Sequence, residues 1–160
     1  MDITEKLKIM ETEYWSISHR INSTLPGYLI ISSKNFTNDL CTLSHLSLCE
    51  MGVLLSKVQN TLQSVLGARR VYLGRYGHTP GHTFHFHAIP IYDWVEELFW
   101  QNPRYRLLES FAEKPEPAMT DGAELTLFVW REFCERTVSP QIKGPSVSQA
   151  IEILRGAIRP

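Results

Sequence analysis

The chain has 160 residues, 43% of them hydrophobic, enough for one domain with a sizeable core. Lys and Arg number 16 and Asp and Glu 17, a net charge of −1, which argues against the broad basic surface of a nucleic-acid binder. The longest apolar runs, Tyr28–Ile31 and Leu127–Trp130, are too short to cross a membrane. The acidic start, Met1-Asp2-Ile3-Thr4-Glu5, lacks the apolar stretch of a signal peptide. Three cysteines, Cys41, Cys49 and Cys134, are odd in number and form no C-x-x-C pair, which suits a reducing compartment. Cys49 and Cys134 fall in helix-like segments and are expected to be buried. The expectation is a soluble cytoplasmic protein with no nucleic-acid or membrane partner.

Residues 1–13 read as a short charged helix or a frayed end. Residues 14–21 are strand-like, with Trp15, Ile17 and Ile21 pointing inward. Pro26-Gly27 marks a turn, and 28–32 form a second strand that pairs with the first as a hairpin. Residues 39–44 lead into a helix. Ser47 with Glu50 fits a capping box, and Ser44 competes as the cap. Leu48, Met51, Leu55, Val58, Leu62 and Val65 then recur at helical spacing, up to a stop at Gly67. Residues 70–76 are a third strand, followed by a loop rich in Gly, His and Pro over 77–81. A strand over 83–91 comes next, then helical stretches over 93–100, 124–135 and 147–158. Pro103 and the Pro115–Pro117 region break the pattern. Adjacent strands followed by helices indicate an α+β domain with an antiparallel sheet.

Four of the six histidines fall between His78 and His87. The last two stand in Thr83-Phe84-His85-Phe86-His87-Ala88-Ile89-Pro90, which alternates as a half-buried strand does. Thr83, His85, His87 and Ile89 share one face, and Phe84, Phe86 and Ala88 the other. The open face thus carries two imidazoles, ~7 Å apart at strand rise, whose unperturbed pKa lies near neutral pH. Such a pair can act together on one small group such as a phosphate. Arg69, Arg70 and Arg75 form a local cationic cluster able to hold one phosphate chain, although such arginines are more often solvated. His19 and His45 read as surface residues.

Pro26-Gly27-Tyr28-Leu29-Ile30-Ile31-Ser32, a helix ending near Leu66-Gly67, a strand, a glycine-rich loop and His85-Phe86-His87-Ala88-Ile89-Pro90 together resemble the histidine triad (HIT) superfamily, in particular its diadenosine polyphosphate and nucleotide hydrolase branch. The resemblance covers about residues 14–92, with a helical extension over about 93–160, all within a single domain over 1–160. It implies an antiparallel sheet with one long helix. In the family a Pro stands three residues after the third histidine, as Pro90 does after His87, so His85 matches the middle, nucleophilic position. Thr83 stands where the first histidine is expected, a divergent triad. Tyr28 replaces the histidine that often follows Pro-Gly, Gly81-His82 resembles the family's Gly-Gln, and His19 or Arg20 occupies the place of a ribose-binding Asn or Asp.

The resemblance implies a nucleotide hydrolase or nucleotidyl transferase. His85 would attack the α-phosphorus of a dinucleoside polyphosphate, phosphoramidate or phosphoester and form a covalent nucleotidyl-histidine. That requires a neutral imidazole with one nitrogen free and the other held by an acceptor such as a backbone carbonyl. His87 would donate to a phosphate oxygen or protonate the leaving group. Thr83 would bind phosphate through its hydroxyl, and His82 would take over the missing imidazole's part. His78, Arg75 and the amides of Gly77 and Gly81 would stabilise developing charge. No cofactor is required, and a divalent cation can arrive with the substrate. A homodimer is implied.

Two alternatives compete. His78, His82, His85 and His87 supply enough imidazole nitrogens for zinc, but i and i+2 on a strand diverge and no acidic or Cys ligand lies nearby, so no metal ligand is assigned. A nucleotide-binding module without turnover is the other, and the Thr83 replacement motivates it. The aromatics Tyr92, Trp94, Phe99, Trp100 and Tyr105 could stack on a base but read better as core or subunit interface.

Overall fold

The structure is a computed structural model and describes residues 3–76, 81–108 and 121–159. Helix α1 (Ile3–Leu7) leads into β1 (Lys8–Glu11), β2 (Trp15–His19) and β3 (Leu29–Ser33). Helix α2 (His45–Ser64) follows, then β4 (Arg70–Gly74), β5 (His85–Ile91), α3 (Asp93–Trp100), α4 (Gly122–Trp130) and α5 (Val147–Ala157). The five strands form one antiparallel sheet in the order β1-β2-β3-β5-β4. This is the α+β arrangement expected from the sequence, with the hairpin β2–β3 and the long helix in place.

Register decides which side chains meet. Ile17 pairs with Ile31, Ile31 with Phe86, and Leu29 with Ala88. These residues share one face with Trp15, and the same face takes Leu54, Val58 and Leu62 from α2 into a continuous core. The Trp15 indole donates to the Ser47 carbonyl at 2.9 Å, which ties β2 to the first turn of α2. The Pro26-Gly27 turn needs glycine. Its φ is +78°, and a Cβ there would lie 2.8 Å from Leu66.

The ends of several elements differ from the sequence expectation. Lys8–Glu11 forms an edge strand rather than a frayed end. Its adjacent apolar pair Ile9-Met10 shows no alternation to reveal it, and a register shift in the β1–β2 pairing accommodates that pair. Arg155 of α5 donates to the carbonyls of Glu5, Lys6 and Lys8, so residues far apart in sequence hold this edge. Ile21 is exposed, because β2 ends at His19. Ser44, and not Ser47, caps α2 by accepting from the Ser47 amide. The buried side of α2 comprises Ser47, Leu54, Val58, Thr61 and Leu62, while Val65 lies past the last turn and is exposed. Cys49 is exposed and Cys134 half-buried. Tyr92, Phe99 and Tyr105 are core, and Trp94 and Trp100 pack against it. The helix expected over 124–135 begins at Gly122 and passes into a π-helical turn at Arg131–Glu135. Among the described residues no helix is long and apolar enough to cross a membrane.

The two candidate caps make opposite predictions. Ser44→Ala removes a cap bond and should cost about 1 kcal/mol in urea denaturation. The Ser47 hydroxyl is buried with no hydrogen-bond partner among the described residues. Ser47→Ala should therefore leave the midpoint unchanged or raise it. A larger loss at Ser47 than at Ser44 would reverse the assignment.

Candidate functional site

The core pairing fixes the opposite face of the sheet. His85 lies across from Ser32, and His87 lies between Ile30 and Gly74. Ile89 opposes Tyr72, and Ser16 and Ser18 continue the face onto β2. Ser32 beside His85 leaves that ring half-exposed, while His87 is buried. The His85 and His87 rings stand 5.2 Å apart between centroids. The edges of Tyr28 and Tyr76 close on His87 at 5.9 and 5.3 Å.

Helix α4 roofs one end of this face. A cavity of about 470 Å³ is lined by His82, His85, His87, Arg20, Tyr28 and Tyr76, and by Ile89 with Leu127 and Trp130 overhead. A second, more polar groove of about 340 Å³ runs over Ser18, Ile30, Ser32 and Thr83. The two share Arg20, His82, His85 and His87. A group held by the histidines can therefore carry one substituent into each.

Hydrogen bonds assign the two tautomers. His85 Nδ1 lies 2.8 Å from the Thr83 carbonyl, which can only accept. Nδ1 therefore carries the proton, and Nε2 keeps its lone pair with no partner among the described residues. His87 is the reverse. Arg20 Nη1, which can only donate, lies 2.7 Å from Tyr28 Oη and 3.5 Å from His87 Nδ1, which favours a lone pair on Nδ1 and the Tyr28 hydroxyl, 3.0 Å away, as its donor. His87 Nδ1 then accepts, and its Nε2 carries the hydrogen. Burial pushes the Tyr28 hydroxyl up to about 12, so it retains its proton. Burial, with the charge of Arg20 and then His85, pushes His87 down to about 4. His87 is neutral at pH 7, a hydrogen-bond donor and a poor acid.

The other expected site residues fall in different places. Thr83 precedes β5 rather than lying on its ladder. Its carbonyl orients His85, and it lines only the polar groove. His82 is exposed, 6.4 Å from His85 between ring centroids, and lines both grooves. Gly81 is exposed at φ +90°. Arg75 lines neither groove. It stacks on Phe84 at 4.5 Å and donates to the Asn38 carbonyl, because β4 ends at Gly74 and the chain turns away. Arg69 and Arg70 pair with Asp93 and Glu96. His78 and Gly77 lie outside the described residues. Among the described residues no three His, Cys, Asp or Glu side chains gather as a metal site requires.

His19, expected at the surface, is buried, with its ring nitrogens 3.0 Å from the Arg20 and Leu25 carbonyls. Burial lowers its pKa. Tyr28 and Arg20, which the family resemblance sets at a replaced histidine and at a ribose-binding place, both line the cavity, and Trp130 joins them unforeseen. Tyr28 and Arg20 extend the alternation of β3 and β2 by one step past the strand ends, which is the one local signal that places them on the histidine face. Trp130 has none, since nothing local shows where α4 docks.

The fold is similar to that of solved histidine triad structures. A HIT-like protein involved in cell-cycle regulation from Bartonella henselae superposes with a TM-score of 0.55 at 11% identity, over 95% of this chain and 86% of that one. A zinc-bound histidine triad family protein from Mycobacterium smegmatis superposes at 0.52 with 13% identity, over 94% and 82%. No protein-family model and no curated protein sequence matches the chain. The fold is HIT-like.

The depressed proton affinity of His87 has a sign that can be checked. Below about pH 6.5 the unfolded chain takes up the histidine proton and the native state does not, so stability falls with pH until His87 is protonated near pH 4. Buried His19 adds in the same direction. Urea midpoints at pH 7, 5.5 and 4 should decline steadily for the wild type, and less steeply for His87→Gln. An identical decline in both would place the effect elsewhere.

Proposed function

We propose that the protein is a nucleotide hydrolase or nucleotidyl transferase in which His85 is the nucleophile. The observation that carries this is the His85 tautomer. Its Nδ1 proton is held by the Thr83 carbonyl, its Nε2 has no partner among the described residues, and the His87 ring stands 5.2 Å away between centroids. The Nε2 lone pair forms a bond to the α-phosphorus as the bond from phosphorus to the leaving oxygen breaks. The imidazolium so formed shares its Nδ1 proton with the Thr83 carbonyl. Water, or another acceptor hydroxyl, then displaces His85 from phosphorus: the new P–O bond forms as the P–Nε2 bond breaks, its electron pair returns to Nε2, and the proton of the attacking hydroxyl passes to solvent. His87 donates to a non-bridging phosphate oxygen throughout.

Neutral His87 selects among leaving groups. An amine or alkoxide needs a proton as it departs, and His87, down at about 4, is poorly suited to give one. A phosphate leaves as a stable anion. The favoured substrates are therefore phosphoric anhydrides such as dinucleoside polyphosphates, ahead of phosphoramidates and simple phosphoesters. No bound cofactor takes part, and a divalent cation arrives only with the polyphosphate. A cytoplasmic setting and a homodimer complete the proposal, β4 being an edge strand of the sheet among the described residues.

Mass spectrometry of protein quenched during turnover of diadenosine tri- or tetraphosphate tests the mechanism. An adenylyl adduct on His85 is expected. His85→Ala should abolish both adduct and turnover while leaving the thermal midpoint within a few degrees, since the ring lies on an accessible face. His87→Ala should slow adduct formation by roughly 10²-fold, a typical loss for one charge-stabilising donor. Near-full activity of His85→Ala would sink the mechanism. Nucleotide binding with no adduct on the wild type would leave the binding-module reading, which the absence of an imidazole at Thr83 favours.

A further inference from the structure

The missing imidazole at Thr83 removes one positive group from the site, and the described residues show what replaces it. Arg20 is the one charged side chain among the described residues lining the roofed cavity, and it also lines the polar groove. Its position is held from several sides. Nε donates to Asn22 Oδ1 at 2.8 Å and Nη1 to Tyr28 Oη at 2.7 Å. The guanidinium stacks 5.1 Å from the Tyr28 ring and 5.5 Å from that of Trp130. Every one of these partners is neutral, so its charge is unspent. Nη2 donates to no acceptor among the described residues, and Nη1 reaches to 3.5 Å from His87 Nδ1.

We infer that Arg20 supplies the fixed positive charge for the phosphate bound between His85 and His87, in place of the imidazole absent at Thr83, and that through Tyr28 it holds His87 in its donating tautomer. The inference rests on reading the site as one for a nucleotide phosphate. A guanidinium suits the task. Its planar fork matches two phosphate oxygens, and it keeps its charge at every accessible pH. Stacking between two aromatic faces holds it ready without a carboxylate that would compete with the substrate. Arg20 is thus a phosphate-binding residue and, toward His87, a positioning residue. This device does not need His82 to cover for Thr83.

Adenosine and adenosine 5′-monophosphate separate phosphate recognition from nucleoside recognition. Calorimetric titration of the wild type should show the monophosphate bound more tightly, with an advantage that shrinks as salt is raised. Arg20→Gln should weaken the monophosphate by roughly tenfold to a hundredfold, the range for a hydrogen bond to a charged group, and leave adenosine unchanged. Arg20→Lys should recover part of the difference. Tyr28→Phe, which keeps the guanidinium, should retain most of the monophosphate preference while slowing adenylyl transfer to His85. A merely structural Arg20 would weaken both ligands alike. If Arg20→Gln does not fold, Arg20→Lys with the salt series carries the test.

The inference is overturned if the wild type shows no preference for the monophosphate, or if Arg20→Gln keeps that preference. Loss of the preference in Arg20→Gln, with no adduct ever formed on wild-type His85, would sustain Arg20 and overturn the turnover reading alone.

Discussion

The pairing of β3 with β5 governs everything else in the structure. Ile31 opposite Phe86 and Leu29 opposite Ala88 place the apolar side chains of both strands against α2. Alternation then leaves His85 and His87 no choice but the far face. A slip by one residue would bury two imidazoles under α2 and expose Phe84, Phe86 and Ala88 to water. The core thus specifies the site.

This explains what could be read from the sequence and what could not. The alternation of Phe84–Ala88 and the spacing of α2 are local patterns driven by burial, and they survive in the structure. His85 and His87 were legible for that reason. The tautomers were not. They depend on the Thr83 carbonyl, which bends to His85 just before the ladder begins, and on Arg20 and Tyr28, which come from two other strands. Edge strand β1 escaped notice because a bulge lets its adjacent apolar residues pack without alternation. His19 misled as an isolated polar residue. Its ring is buried, close to carbonyls supplied by the turn that follows β2. Arg75 misled in the opposite sense, since nothing local shows that the chain leaves the sheet after Gly74.

The electrostatics of the site divide labour between groups of different kinds. The imidazoles are accessible or neutral, one with a lone pair outward and one with a hydrogen outward. The lasting charge is a guanidinium clasped by aromatic rings. His87 keeps its polarity well into the acid range, because burial and the charge of Arg20 push it down to about 4.

Helix α4 approaches the sheet where Gly122 meets Tyr72. A Cβ on Gly122 would fall 2.5 Å from the tyrosine ring, so a side chain there has to displace either the Tyr72 ring or the start of the helix. Leu127 and Trp130 hang over the histidines from that same helix. A displacement of its first turn would therefore be felt in the chamber they roof. Under the proposed function, the bulk this chamber admits would then depend on a position far along the chain from His85, and could be retuned without altering either imidazole.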